Sequence, residues 1–356
     1  MDVSKKKQGS GGHRRSNGLG VLKERRQRLQ LDTTPREGGI RTSVIVPSYR
    51  RPESLHVCLR VLEAQTTHPD QVIVVIREDD LDSRELLSRP MYRLPVNVIV
   101  VSKGGQVAAL NTGLQAVRGD IVVFTDDDAA PWPTWLSKIT DLLLADSTIG
   151  GVGGADHVSG VEYKKRPVRV GRLQWFGRCT GNHHLGIGAV QQVDILKGVN
   201  MAFKRAAIVG LCFDERLRGS GAQVHNDLAF SLAVRSRGWR LLYDPQIIVD
   251  HHVAGRFDED GRGIFDNAAV RNAVHNETLV ILDFLSWPRK FVYILWAVTC
   301  GTSAAPGLVQ SARTLVRERR IDLRMLAASL GGRLEGILSF LSEYSGATRP
   351  SGRSES

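Results

Sequence analysis

Three consecutive carboxylates, Asp126-Asp127-Asp128, follow directly on the apolar run Ile121-Val122-Val123-Phe124. Adjacent carboxylates repel one another, so gathering them is costly unless a cation sits among them. Acidic side chains at a strand end, with few other protein ligands, suit Mg2+ or Mn2+ bridging substrate phosphates. Taken alone, the triplet reads equally well as an acidic turn before the helix that begins near Trp132. A further acid, Asp227, opens another helical run, where the helix dipole favours a negative charge whatever its chemistry.

The elements around these acids are legible from apolar patterning. Thr42 to Pro47 reads as a strand, and Pro52 to Gln65 as a helix with Leu55, Leu59 and Leu62 on one face. Gln71 to Ile76 is a nearly continuous apolar run, as expected of a strand buried on both faces of a helix-covered parallel sheet. Val96–Val101 is a third strand, Gln106–Arg118 a helix, and Ile121–Phe124 a fourth strand. A helix near Trp132–Ala145 and a strand near Gly151–Asp156 follow. This alternation predicts βαβ units in an α/β fold, whose ligands bind at the carboxyl ends of the strands. Residues 157–195 lack periodicity and read as long loops that shape a binding site. Regular structure returns at Val199–Phe203 and in a helix from Asn226 to Arg237, stopped by Gly238. The run Gly150-Gly151-Val152-Gly153-Gly154 does not open the first βα unit, so it is no dinucleotide loop.

Composition bounds the alternatives. The 356 residues are 42% hydrophobic, enough for one large α/β domain with appendages. Four cysteines without CxxC spacing argue against a zinc ribbon or disulfide scaffold and for a reducing compartment. No apolar stretch occurs in the first thirty residues, so no signal peptide is expected. The formal charge of +11 favours acidic partners, and residues 1–40 read as a basic, disordered tail. No aromatic interleaving or nucleic-acid motif accompanies that charge, so no nucleic-acid partner is expected. Beyond residue 260 the composition changes, and residues 261–345 read as a helical, membrane-associated extension before a disordered tail at 346–356. Phe291 to Val309 is uncharged, is broken by Gly301, Pro306 and Gly307, and has basic residues on both sides. Such a segment is expected to dip as a hairpin bent near Pro306, or to lie in plane as an amphipathic element, at the cytoplasmic face of the membrane without crossing it, with Trp287, Tyr293 and Trp296 at the interface.

The chain also resembles the family 2 glycosyltransferases, over roughly residues 42–255. Five pieces in order carry the resemblance: Ser43 to Arg50; Arg77-Glu78-Asp79-Asp80; Ala108 to Leu114 leading into Asp126-Asp127-Asp128 with Trp135 beyond; Gly198 to Phe203; and Asn226-Asp227 followed by Tyr243-Asp244-Pro245 and His251. The resemblance implies a GT-A fold, a Rossmann-like, mostly parallel mixed sheet flanked by helices. Residues 41–130 would form its nucleotide-sugar half and 131–260 its acceptor half.

It further implies an inverting transfer from a nucleotide-sugar donor to a saccharide or lipid-linked acceptor. Asp227 is then the general base, although relatives usually carry an acid where this chain has Asn226. Asp126, Asp128 and His251 are the implied ligands of Mg2+ or Mn2+. Donor contacts are expected from Pro47, Tyr49, Arg50, Asp79, Asp80, Lys103, Asn111, Asp126 and Asp127, and acceptor contacts from Trp175, Asn182, Asn200 and Asn226. The rival readings are a nucleotidyltransferase of similar fold and a non-catalytic binding scaffold.

Overall fold

The computed structural model describes residues 39–161, 169–255, 257, 265–319 and 322–347. The expected basic tail and the last residues lie almost wholly outside these. The first half alternates as anticipated: β1 (Thr42–Ser48), α1 (Pro52–Glu63), β2 (Gln71–Arg77), α2 (Leu81–Ser88), β3 (Val96–Val101), α3 (Gln106–Gln115) and β4 (Ile121–Phe124). Then come β5 (Ala129–Pro131), α4 (Trp135–Leu144), β6 (Ile149–Val158), the short strands β7 (Arg172–Leu173), β8 (Cys179–Thr180) and β9 (Gln191–Val193), and β10 (Met201–Lys204). The short α5 (Arg205–Ile208), α6 (Asn226–Arg235) and the long β11 (Arg240–His251) complete the sheet domain. Helices α7 (Asn267–Phe284), α8 (Trp287–Thr299), α9 (Leu308–Glu318) and α10 (Leu323–Ala347) follow.

The sheet runs β3-β2-β1-β4-β10-β6-β11-β5, with β9 also pairing β11. β1 to β4 are parallel, and β10 is antiparallel to both β4 and β6. Alternate residues of the central strands feed two cores, which is why their sequences are continuously apolar. Val44, Val46, Val72, Val74 and Ile76 pack with Leu55, Leu59 and Leu62 of α1 and Trp135 of α4. Ile45, Ile73 and Val75 pack with Leu110 and Leu114 of α3 and the ring cluster Phe124, Phe203, Phe213 and Phe230.

Two strands exceed the expectation. β6 reaches back to Ile149 and on to Val158, and β11 was visible only as its fragments around Tyr243 and His251. Pro245 interrupts the apolar pattern of β11 because a bulge between Asp244 and Ile248 accommodates it. One glycine of β6 answers that bulge: a Cβ on Gly154 would collide with the Ile247 carbonyl.

In the C-terminal region Phe291–Val309 is divided between two helices. α8 ends at Thr299, a turn bridged between Gly301 and Pro306 follows, and α9 starts afresh at Leu308. No helix of the described residues is long and apolar enough to cross a membrane. Tyr293 is fully buried and Trp296 packs against Phe176, so these two rings face the protein and not an interface.

α7 and α10 also hold the segment that leads into α6. Arg216 pairs with Asp214, with Asp283 of α7 and with Glu343 of α10, while Arg218 and Arg271 share Glu335. Asn276 of α7 accepts from the Arg218 backbone N–H at 2.8 Å and donates to the Val224 carbonyl at 3.1 Å. Removing one member of such a buried network strands the others, at a cost of about 3 kcal/mol. Arg216→Met is therefore expected to lower the melting temperature and to raise the KM for donor, because the clamped segment lines the binding pocket. An unchanged calorimetric transition would show that the network is dispensable.

Candidate active site

An open pocket of about 910 Å³ lies at the carboxyl ends of β1, β2 and β3, beside Asp126, Asp127 and Asp128. Its walls come from Pro47, Ser48 and Tyr49 after β1, Arg77 after β2, Gln106 and Ala109 of α3, and Ser220 to Ala222 before α6. Tyr49 donates to Asp79 at 2.9 Å, and the Arg77 guanidinium lies 4.3 Å from the centre of the Tyr49 ring. Tyr49 and Arg77 thus offer the pocket a flat face and a cation, and Asp79, bonded to both, stands outside the lining.

The three acids also line the pocket, and each has a different environment. Asp127 is used within the protein: its carboxylate accepts from Ser48 Oγ at 2.7 Å and from Arg51 at 2.8 Å. Burial pushes its carboxyl up to about 7, against the pull of Arg51. Asp126 accepts from Gln106 Nε2 at 3.3 Å. Burial, reinforced by the charge of Asp128, raises it to about 6. Asp128 is held low despite its burial by His251, the Ala254 N–H and Arg51.

His251 ends β11 and turns its ring between two carboxylates. Nδ1 lies 3.1 Å from Asp156 Oδ1 and Nε2 3.2 Å from Asp128 Oδ1. Burial disfavours the imidazolium, yet the hydrogen bonds and charges of Asp128 and Asp156 raise it to about 9. Asp156, itself ion-paired with Lys197, is depressed to about 2 in spite of burial. Nε2 is buried without an aligned hydrogen-bond acceptor. One ligand atom each from Asp126, Asp128 and His251 can be chosen so that all three lie within 4.8 Å of one another. Two carboxylate oxygens and an imidazole nitrogen fit a divalent cation such as Mn2+ or Mg2+. Asp156, on the far nitrogen of the ring, is the orienting partner that such a ligand commonly has.

These shifts predict how the metal-free protein responds to pH. Asp126 and Asp127 are raised to about 6 and 7 and His251 to about 9, so all three bind protons more tightly folded than unfolded. Stability from such groups is full below their unfolded pKa values and is lost as pH rises through the folded ones. In EDTA, calorimetric Tm is therefore expected to fall as the pH is raised from about 6.5 to about 9, above the range in which the depressed His183, His184 and His275 act in the opposite sense. Added Mn2+ is expected to flatten that fall, because the cation replaces the protons. A Tm that climbs over this range in EDTA would contradict the assignment.

Asp227 sits half-buried in the first turn of α6, after His225 in a left-handed conformation (φ 72°). Its carboxylate accepts from the Leu228 N–H at 2.8 Å and from the Gly198 N–H at 3.1 Å. The next residue, Val199, accepts at its carbonyl from Thr125 Oγ1, so one short turn links this acid to the strand end before Asp126. Asn226 donates to Gln106 Oε1, and Gln106 donates to Asp126. The Asn226 amide nitrogen is taken up by Gln106 and two loop carbonyls, which ties the start of α6 to the start of α3.

Other expected contacts are also engaged elsewhere. Asp80 caps α2 and accepts from the Arg50 N–H at 2.6 Å, so it shapes the loop after β1 from beneath. The side chain of Arg50 pairs with Asp79 outside the pocket wall. Lys103 is exposed and paired with Glu215. Asn111 is buried and exchanges two hydrogen bonds with the Phe213 backbone. Asn200 accepts from Trp135 Nε1 and donates to the Ala155 and Ile247 carbonyls, pinning β6, β11 and α4 together. Asn182 adopts φ 60° in a turn and donates to the Arg169 carbonyl. Trp175 is 64% exposed, edge-on to Phe176 and bonded through its carbonyl to Arg289. Ser48, Arg51, Gln106, Asp156 and Lys197 were not anticipated. The doubled Arg50-Arg51 beside Pro52 and Gln106 at the start of its helix were the available signals.

Residues 43–205 match the family model described as glycosyl transferase family 2. The chain is 29% identical over 138 residues to a chondroitin synthase of Escherichia coli, covering 37% of this chain and 20% of that protein. It is 28% identical over 139 residues to a hyaluronan synthase of Pasteurella multocida, covering 38% of this chain and 14% of that protein. The match therefore spans a fifth or less of those relatives' own length. Among solved structures, the mannosyltransferase PcManGT from Pyrobaculum calidifontis, in complex with GDP-Man and Mn2+, superposes with a TM-score of 0.51 at 18% identity. That superposition covers 91% of this chain and 92% of the other and shows a shared fold.

Proposed function

We propose that this chain, whose residues 43–205 match the family 2 glycosyltransferase model, is an inverting glycosyltransferase that uses a nucleotide-sugar donor and a saccharide or lipid-linked acceptor. The observation that carries the reading is the convergence of Asp126, Asp128 and His251 beside a pocket lined by Tyr49 and Arg77. Tyr49 would stack on the nucleobase and Asp79 accept from it, while Asp126 faces the ribose.

Asp126, Asp128 and His251 would hold Mg2+ or Mn2+, which when bound neutralises the charge that develops on the leaving diphosphate. Asp227 accepts the proton of the acceptor hydroxyl as its oxygen attacks the anomeric carbon from the side opposite the leaving group. The bond to the nucleoside diphosphate breaks as the new glycosidic bond forms, so the configuration inverts. Gly198 and Leu228 N–H groups hold the Asp227 carboxylate ready in one orientation. A cytoplasmic, membrane-peripheral location belongs to the same reading and rests on the basic charge of the chain.

Thermal-shift titration with a panel of nucleotide sugars, with and without Mn2+, tests the donor half of this proposal. One donor is expected to raise Tm by several degrees only in the presence of the cation. If no nucleotide sugar stabilises the protein, while the free nucleotides do, a binding scaffold or nucleotidyltransferase takes its place.

A further inference from the structure

Helix α9 carries its apolar stripe on the wrong side for a helix packed against a core. Leu308, Val309, Ala312, Leu315 and Val316 follow the spacing of a single helical face. That face is open: Leu308, Val309, Leu315 and Val316 are 54%, 58%, 41% and 83% exposed. The helix meets the protein instead through Gln310, Ser311 and Thr314, its buried and half-buried polar residues. A surface helix of a globular protein does the reverse. α8 adds Trp287, Phe291 and Leu295, spaced by four and 55%, 70% and 55% exposed. Arg313 and Arg317 flank the stripe of α9, and Arg319 follows it; all three are exposed.

We infer that α8 and α9 dock this chain in the plane of an anionic lipid bilayer. The occupant is chosen by charge: an apolar stripe rimmed by arginines matches acyl chains beneath acidic headgroups. A second copy docking through a twofold axis would set the same arginines against one another. Against Arg313, Arg317 and Arg319 the two helices carry a single acidic residue, Glu318. At 13 and 11 residues the helices are too short to span a core that needs about 20, so they lie along the surface. The inference gives the membrane-peripheral location proposed above its surface, and it can hold or fail apart from sugar transfer because that face contributes nothing to the pocket.

Flotation of the full chain with vesicles tests it. The chain is expected to float with phosphatidylcholine vesicles containing phosphatidylglycerol, and much less with phosphatidylcholine alone or at high salt. Val309→Glu with Val316→Glu is expected to abolish flotation while leaving Tm and nucleotide-sugar binding unchanged, since both side chains are exposed. Arg313→Gln with Arg317→Gln is expected to weaken binding to the anionic vesicles about thirtyfold. Absence of flotation at low salt with anionic vesicles overturns the inference. So does a valine pair that converts a dimer into a monomer in light scattering without altering flotation, which would assign the face to self-association.

Discussion

Asp227→Asn is expected to leave a folded protein that binds donor normally and turns it over about 10² to 10⁴ times more slowly. The asparagine preserves size and one acceptor oxygen, so either the Leu228 or the Gly198 N–H keeps its partner. What it loses is the capacity to take up a proton. The helix N-terminus also loses a favourable charge, worth about 0.3 to 1 kcal/mol at an exposed site. That cost is too small to unfold a domain of this size, so a large fall in rate cannot be a stability effect. The measurement is kcat and donor KM beside a calorimetric Tm, with kcat alone expected to move. Activity within a few-fold of wild type would place the base elsewhere. The neighbouring acids are poor substitutes, because Asp214 is held by Arg216 and Glu215 by Lys103.

Asp128→Asn is expected to remove the divalent-ion dependence of donor binding and to reduce transfer by about 10³-fold or more, in keeping with the several kcal/mol that a bound cation supplies. Asp128 is the acid that the ionised form suits best here: His251, Arg51 and the Ala254 N–H all face it. The same contacts mean that some stability goes with the charge, so donor binding has to be compared well below the Tm of the variant. Arg51 retains Asp127 and His251 retains Asp156, which keeps the rest of the site in place. Isothermal titration of Mn2+ into wild type and variant reads the effect directly, before any turnover. Unimpaired transfer by the wild-type chain in excess EDTA would remove the cation from the mechanism.

Helix α9 shows where periodicity stops being informative. The stripe from Leu308 to Val316 is plain in the sequence, but a stripe does not say which side of a helix the protein will take. The same holds for asparagines. Asn111 and Asn200 lie in segments that resemble sugar-transferring relatives, and residue type alone suggests contacts with a ligand. Both amides instead bond backbone groups: Phe213 for Asn111, and Ala155 and Ile247 for Asn200. A side-chain amide satisfies whichever buried carbonyl the fold brings to it, and that carbonyl is not adjacent in the chain.

By itself, the sequence determined the alternating half of the fold and the position of the acids within it. Strands buried on both faces must be apolar throughout, and helices that cover them must be apolar on one face, so β1 to β4 and their helices are written locally. Asp126 to Asp128 stand out because like charges are adjacent in the chain itself. Only the tertiary structure decided what those acids meet. His251 and Asp156 are 95 positions apart, and Asn226 and Gln106 are 120 apart. These pairs exist because β11 lies beside β6 in the sheet and α6 closes over the start of α3. Hydrogen bonds and charge interactions act over a few ångströms of space, and no local pattern of residues encodes which distant strand end will supply the partner.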